Sequence, residues 1–495
     1  MNATNKIATS AISTRATGQF DQQSALKFIT CGSVDDGKST LIGRLLLDSK
    51  SVLQDQLANV SKSGEADLAQ FTDGLSAERE QGITIDVAYR YFNTAQRKFI
   101  IGDAPGHEQY TRNMVTAASN ADAAVVLVDA TKLPWATAPD TVPPPADQGH
   151  GLLPQTRRHA LLCHLLRVPS IVFAINKLDA LEDPAKPQTA GQATRAFNHI
   201  RAALEAFALE AGIEVATIVA ISALKGHNVV DAAEGWCGYT GPSLLDILEL
   251  LPVTPADTAL AFAFPVQWVE KPAPTLVAAR TALPPEGVQK FGSSADTSQG
   301  RRIFWGRVAG GVAQVGQQVK VLPSGQTATV AQVLGTTRQP GAVQAGHSAG
   351  VVLDREVDVS RGDWLLALIP PALTAITSDE DFGDTPTATS LPPSREISAT
   401  VAWMDDEPLV AGRVYWALHG HRWVKARIKR VVHRLQINTL AEENADTLPA
   451  NSIGHIELLL QEPIAALAFA QSRVLGSLVL VDTATHRTAG AVLVN

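Results

Sequence analysis

Hydrophobic positions divide the chain into two patterns. From about residue 25 to 252, short apolar runs alternate with stretches whose apolar residues recur at helical spacing, which predicts a doubly wound, mostly parallel sheet. After Pro252 the pattern changes to short alternating strands interrupted by glycine and proline, as in small antiparallel barrels. The expected fold class is therefore an α/β domain followed by two small β-barrel domains.

The same pattern predicts the domain boundaries. Residues 1–24 are rich in serine, threonine and alanine without an apolar segment, and we expect a disordered N-terminal tail there, with an organelle transit peptide as the alternative. We expect the α/β domain at 25–252, the first barrel at 253–370, a linker at 371–394 and the second barrel at 395–495.

The most informative segment, 32–39, follows the apolar run from Leu26 to Cys31 and precedes a stretch with helical spacing. It reads Gly-Ser-Val-Asp-Asp-Gly-Lys-Ser, a complete phosphate-binding loop. Backbone N–H groups of such a loop cradle phosphates, Lys38 would reach the β- and γ-phosphates, and the Ser39 hydroxyl would ligate Mg²⁺. The expected nucleotide contacts are Gly32, Ser33, Val34, Asp35, Asp36, Gly37, Lys38, Ser39 and Thr40.

A second element follows the apolar run Phe99 to Ile101. An aspartate at the end of such a strand, here Asp103, holds a Mg²⁺-bound water, and the Gly106 N–H can reach a γ-phosphate. The segment therefore predicts a metal position beside the phosphate loop. Its expected contacts are Asp103, Ala104, Pro105, Gly106 and His107.

Two further elements predict the base. The segment 176–179, Asn-Lys-Leu-Asp, follows a buried-strand pattern, and the Asp179 carboxylate can accept hydrogen bonds from the guanine N1–H and exocyclic amine. Adenine lacks that pair of donors. The segment 222–225, Ser-Ala-Leu-Lys, suits the guanine O6. Each tetrapeptide is weak alone, but four elements in order predict GTP with Mg²⁺. The expected contacts are Asn176, Lys177, Asp179, Ser222, Ala223 and Leu224.

Composition narrows the function classes. Hydrophobic residues make up 45% and charged residues 18% of the 495 positions, which is typical of a globular protein with sizeable cores. Three widely spaced cysteines favour a reducing compartment, so we expect a cytoplasmic protein. The net charge of −8 gives no case for nucleic-acid binding, and no apolar run approaches the length of a membrane span.

Three other segments leave their roles open. The proline-rich segment 133–154 and the polar segment 279–300 predict long exposed loops. Residues 408–441 contain no aspartate or glutamate, and within them 422–430 alternates basic and apolar residues, so a strand there would carry its charges on one face. That face is either a solvated barrel surface or a docking surface for an acidic partner or RNA.

With these four elements and two barrels, the chain resembles translational-type GTPases of the elongation factor Tu and 1-alpha group over roughly 25–495. It resembles more closely the large GTPase subunit of bacterial sulfate adenylyltransferase, the CysN type. Elongation factors usually carry histidine or serine where Asp36 stands and lack the Tyr-Arg-Tyr-Phe ending at 89–92. The closer resemblance is carried by residues 31–40, 73–92, 105–114, 155–159, 264–267 and 358–363.

The resemblance implies a GTPase that works with a separate small subunit of the CysD type, in a heterodimer or larger complex. ATP and sulfate would bind that partner, which forms adenosine 5′-phosphosulfate and pyrophosphate, an uphill reaction driven by GTP hydrolysis here. By position, Thr84 would ligate Mg²⁺ together with Ser39 and Asp103, and His107 would orient the attacking water. His107, Lys38 and Thr84 are thus the expected catalytic residues.

The chain lacks motifs for the adenylylation reaction itself. The chain shows no adenylation motif of its own and no second phosphate loop after residue 400, so it should not adenylylate sulfate alone. The alternative is an elongation-factor-like GTPase that binds tRNA, which the basic segment 422–430 would favour.

Overall fold

The chain forms two compact units, with the division after Thr254. The predicted tail 1–24, the loop 279–300 and most of 133–154 and 371–394 lie outside the described residues. The predicted domain boundaries therefore stay predictions. The computed structural model describes residues 25–49, 87–106, 111–135, 150–183, 185–186, 189–254, 256–271, 301–368, 391–436 and 441–495.

A single sheet organises the first unit. Its strands are β1 (Leu26–Cys31), β2 (Ala88–Asn93), β3 (Lys98–Asp103), β4 (Ala123–Asp129), β5 (Ser170–Asn176) and β6 (Val215–Ala220). They lie in the order β2-β3-β1-β4-β5-β6, with β2 antiparallel to β3 and all other pairs parallel. Every residue of β4 and β5 is buried, as expected for central parallel strands covered on both faces. The structure confirms the predicted α/β class for this unit.

Helices of the first unit follow the strands along the chain. Their bounds are α1 (Lys38–Asp48), α2 (Thr111–Ser119), α3 (Pro154–Leu165), α4 (Gln192–Glu210) and α5 (Leu244–Leu250). The apolar residues Ala196, Ile200 and Leu204 recur every four positions along α4 and are buried. Ser243 caps α5 through a capping box with Asp246. Because β1, β3, β4 and β5 are parallel, their carboxyl ends meet at one edge of the sheet, where ligands commonly bind.

The second unit consists of antiparallel strands. Its first part contains β7 (Ala263–Glu270), β8 (Ile303–Arg307), β9 (Val312–Ala313), β10 (Gln318–Leu322), β11 (Thr327–Leu334), β12 (Val343–Gln344), β13 (Ser348–Leu353) and β14 (Trp364–Ala367). Six of them close a barrel in the order β10-β11-β13-β8-β7-β14, while β9 pairs with β12. The barrel core is apolar, with Phe264, Val319 and Leu365 fully buried.

The remaining strands form a seven-stranded sheet in the same unit, together with a small two-stranded sheet. They are β15 (Pro393–Trp403), β16 (Leu409–Val410), β17 (Val414–His419), β18 (Arg422–Leu435), β19 (Glu442–Glu443), β20 (Thr447–Leu448), β21 (Ile453–Ala465), β22 (Ser477–Asp482) and β23 (Thr488–Val494). The larger sheet runs β17-β22-β23-β15-β21-β18-β19, and an additional pairing joins β17 to β18. β16 pairs with β20. These antiparallel strands agree with the expected fold class.

Candidate nucleotide-binding site

The phosphate loop connects β1 to α1, as the sequence predicts. Gly32 has φ 144° and Gly37 has φ 95°, values that L side chains rarely adopt. A Cβ at Gly32 would lie 2.8 Å from the Leu127 oxygen, and one at Gly37 would lie 2.5 Å from Asn176 Nδ2. No side chain caps the start of α1, so its first N–H groups remain for an anion.

Lys38 lies beneath this loop. Its side chain is buried, and Nζ donates to the Gly32 and Ser33 oxygens at 3.3 and 2.8 Å. Burial lowers the pKa of Lys38, while the negative charges of Asp103 and Asp36 oppose that shift. Gly106 approaches so closely that a Cβ there would lie 2.6 Å from Lys38 Nζ. The second predicted element therefore packs directly on the first.

The predicted metal ligands are oxygen atoms, which Mg²⁺ prefers. Asp103 ends β3 directly beside Thr30 of β1 and is 3% exposed. The Thr30 hydroxyl donates to Asp103 Oδ1 at 3.3 Å, which orients the carboxylate. Ser39 lies in the first turn of α1, partly buried. These two residues fit a magnesium ion, whereas the predicted ligand Thr84 lies outside the described residues.

Asn176 joins the predicted base-reading segments to the phosphate loop. Its Nδ2 donates to the Asp36 oxygen at 2.8 Å, and its Oδ1 accepts from the Ala223 N–H at 3.0 Å. The Ser222 hydroxyl in turn accepts from the Lys225 N–H at 3.0 Å. One buried amide thus fixes the relative positions of three predicted elements.

The remaining base-reading residues lie after β5 and β6. Lys177 adopts a left-handed conformation with φ 63°, and its Nζ donates to the Asp35 oxygen at 2.5 Å and to Asp129 Oδ2 at 2.8 Å. Asp179 lies, partly exposed, in the 3-10 turn Leu178–Leu181, so its carboxylate is accessible to a base. Leu224 is exposed, whereas the two residues before it are buried.

Comparisons with known proteins agree with this geometry. Residues 23–255 match the family model "Elongation factor Tu GTP binding domain", and residues 396–495 match "GTP-eEF1A C-terminal domain-like". Sulfate adenylyltransferase subunit 1 of Laribacter hongkongensis is 38% identical over 483 residues, which are 96% of this chain and 85% of that protein. The chain belongs to the sulfate adenylyltransferase subunit 1 family.

Other known proteins are also similar over most of this chain. Subunit 1 of Cellvibrio japonicus is 37% identical over 96% of this chain and 88% of its own length. The bifunctional enzyme CysN/CysC of Xylella fastidiosa is 39% identical over 94% of this chain, which spans 65% of that protein. The solved structure of sup35 complexed with GDP covers 95% of this chain and 94% of its own, with 19% identity and a TM-score of 0.36. That last value is too low to support an argument.

A histidine that belongs to none of the four sequence motifs also contacts the phosphate loop. His159 of α3 accepts a hydrogen bond from the Gly32 N–H at Nδ1, 3.0 Å away. Burial, followed by the positive charges of Lys38 and Arg158, lowers the pKa of His159 to about 3, so this ring is neutral. The segment 155–159 carried the family resemblance, but nothing in its sequence indicated a partner 127 residues away.

Other predicted features receive less support or none. His107 lies outside the described residues, as does Thr84. Within the described residues, none of the helices combines the length and apolar character needed to cross a membrane. The basic residues of 408–441 are mostly paired with carboxylates that come from elsewhere in the second unit. The paired residues are Arg413, Arg422, Lys429, Arg430 and Arg434.

Proposed function

We propose that this chain is the GTP-hydrolysing subunit of a sulfate adenylyltransferase. A separate small subunit would convert ATP and sulfate to adenosine 5′-phosphosulfate and pyrophosphate. The observation that carries the proposal is the 38% identity with a protein named subunit 1 over 85% of that protein's length. The intact phosphate-loop geometry adds support, because it has the conformation and the uncapped helix start that a nucleotide phosphate needs.

Phosphate binding follows from the residues under the loop. The N–H groups at the start of α1 would donate to the phosphates, and Lys38 would exchange its contacts with the Gly32 and Ser33 oxygens for phosphate oxygens. Ser39 and Asp103 would hold Mg²⁺, with Thr84 as a further ligand in the GTP state. The ion, when bound, neutralises negative charge on the phosphates.

Guanine recognition would use the segments after β5 and β6. The Asp179 carboxylate accepts hydrogen bonds only, which matches the two neighbouring donors of guanine. The backbone at 222–224 would receive O6, and the link from Asn176 to Ala223 holds that backbone beside the phosphate loop. The segments that contact the base and the loop that contacts the phosphates would therefore be joined through Asn176.

His107 would orient the water that attacks the γ-phosphate. We expect His107→Ala to reduce turnover by about 10²–10⁴-fold, because positioning and general-base roles are typically of that size. GTP affinity should stay close to that of the unaltered chain, since a water-orienting imidazole makes few contacts in the ground state. Single-turnover hydrolysis and equilibrium binding measure the two separately. A loss confined to affinity would contradict this role.

The partner should control the reaction. Alone, the chain should hydrolyse GTP slowly, because completion of a charge-stabilising arrangement by an activator commonly raises GTPase rates by about 10³–10⁵-fold. Steady-state hydrolysis is measured with and without the small subunit, ATP and sulfate. Strong stimulation only in the complete mixture supports the proposal, and a full rate from the isolated chain would overturn it.

All three cysteines carry free thiols, consistent with a cytoplasmic complex.

A tRNA-binding function is the second candidate. The exposed face of strand β18 carries Trp423, which is 50% exposed, together with Lys425 and Arg427. The described residues place no carboxylate in an ion pair with either cation, whereas the other basic side chains of this segment are neutralised. Two cations are few for RNA binding, which usually neutralises many phosphates. Filter retention of aminoacylated tRNA tests this function, and only salt-sensitive retention would favour it.

A further inference from the structure

Lys132 occupies a position that the nucleotide motifs do not explain. Asp129 ends β4 and caps the 3-10 turn Ala130–Lys132 by accepting from the Thr131 N–H at 2.9 Å. That turn directs Lys132 back towards the phosphate loop, where Nζ donates to the Val34 oxygen at 2.6 Å and to Asp36 Oδ1 at 3.3 Å. The lysine thus holds the tip of the loop from the neighbouring strand.

Asp36 needs such a partner. Its side chain is 0% exposed, and Oδ2 accepts from the Ser33 N–H at 2.5 Å, which closes the loop on itself. A buried carboxylate without a cation is strongly unfavourable. Burial accordingly raises the pKa of Asp36, while the charges of Lys132 and then Lys38 oppose that rise. The ionised carboxylate therefore depends on these two lysines.

Lys38 is required elsewhere, because phosphate binding in this site depends on it. Asp129, another buried carboxylate near the loop, is held by Lys177 at 2.8 Å and more distantly by Lys132 at 3.7 Å. Asp36 and Asp129 are thus each matched by a lysine other than Lys38. Without Lys132, only Lys38 would remain to neutralise the Asp36 carboxylate. The negative charge of that carboxylate would also repel an incoming phosphate.

We propose that Lys132 is a positioning residue for the phosphate loop: it neutralises the buried Asp36 carboxylate and so leaves Lys38 available for nucleotide phosphates. The inference rests on the proposed function for its link to nucleotide binding, but the Asp36–Lys132 coupling itself does not. Lys132 bonds to the loop itself, at the Val34 oxygen and the Asp36 carboxylate, and would act on a nucleotide through the loop. Its effect should therefore reach GDP and GTP alike.

A double-substitution cycle tests this role. The variants are Lys132→Met, Asp36→Asn, the combination of both, and Lys132→Arg, with Lys98→Met as the control for an exposed lysine at the start of β3. Binding of fluorescent GDP and GTP is measured, together with urea unfolding of the nucleotide-free chain. The amide introduced by Asp36→Asn could still accept from the Ser33 N–H but has no charge to neutralise, so this substitution should relieve much of the loss caused by Lys132→Met.

The expected result is a loss of affinity of about 10- to 100-fold for both nucleotides in Lys132→Met, because an uncompensated buried charge is introduced. Lys132→Arg should stay within about threefold of the unaltered chain, since the guanidinium retains the charge. The combined variant should bind better than Lys132→Met alone and should unfold at higher urea.

Three results would overturn the inference. Lys132→Met could behave like Lys98→Met, the two substitutions could combine without coupling, or Lys132→Arg could fail as badly as Lys132→Met. If the unaltered chain binds no guanine nucleotide, the proposed function fails instead, and the coupling measured by unfolding still decides whether Lys132 and Asp36 act together.

Discussion

The phosphate loop and the strand β18 both carry many charged side chains, but their ion pairs differ in solvent exposure. At the loop, Asp36 and Asp129 are 0% exposed and each meets a lysine. On β18, most ion pairs join accessible side chains, such as Arg434 and Glu443 at 39% and 37%, whereas Arg422 and Asp363 are only 18% and 12% exposed. Water screens the second kind of pair and cannot replace a partner in the first kind. A single substitution should therefore have a large effect at the loop and a small one at an accessible ion pair of the strand.

The largest effect on stability is expected at Asn176. Asn176→Ala removes the acceptor of the Ala223 N–H and the donor to the Asp36 oxygen, and each buried group left without a partner costs about 1–3 kcal/mol. Urea unfolding and nucleotide affinity should both fall. The control is Asn93→Ala, at the exposed end of β2. Equal behaviour of the two variants would mean that the loop does not depend on this amide.

A pH-dependent effect of intermediate size is expected at His159. Its pKa is lowered to about 3 in the folded chain, whereas an unfolded histidine titrates near pH 6.5, about its usual value. Below that pH the unfolded chain takes up a proton that the folded chain does not, so stability falls as pH decreases towards 3, by about 1.4 kcal/mol per pH unit.

His159→Gln should remove this contribution to the pH slope, because glutamine does not titrate. Urea unfolding between about pH 7.5 and 5.5 measures the slope. His199→Gln, at a partly exposed position of α4, is the matched control for the loss of one histidine. Identical slopes for both variants would contradict the account of a buried neutral imidazole under Gly32.

The smallest effect is expected on β18. Arg434→Gln breaks a hydrogen-bonded pair with Glu443, but both side chains are accessible, so the free energy of unfolding should change by about 0–1 kcal/mol. Added salt should reduce even that difference. Unfolding at low and high ionic strength measures it. A change as large as that of Asn176→Ala would remove the contrast between the two regions.

The places of the phosphate loop and of the segment after β5 in the fold could be predicted because both motifs are local. Gly32 to Ser39 and the segment from Asn176 to Asp179 each follow one apolar strand, and parallel strands bring their ends together. The alternation on β18 likewise indicated the exposed basic face, with Val424, Ala426 and Ile428 buried between the charges.

Long-range partners could not be predicted from the same patterns. Lys132 and Asp36 are 96 residues apart, and a lysine after a strand is ordinarily a solvated residue. The carboxylates that neutralise β18 come from other strands, including Glu457 of β21 and Glu443 of β19, so the lack of acidic residues in 408–441 overstated its net positive charge. These ion pairs form only when β18 is paired with β19 and β21 in the folded sheet.

The most direct measurement of the central claim uses a change of nucleotide specificity. Xanthine has a carbonyl where guanine has its amine, so Asp179→Asn should weaken GTP by at least about tenfold and favour XTP, because the new amide donor would face the guanine amine. The variant is combined with the small subunit, ATP and sulfate, and formation of adenosine 5′-phosphosulfate is followed with GTP or XTP. We expect XTP to support the reaction with the variant and GTP to support it with the unaltered chain. An unchanged preference for GTP in the variant would contradict the claim that this site reads guanine to drive sulfate activation.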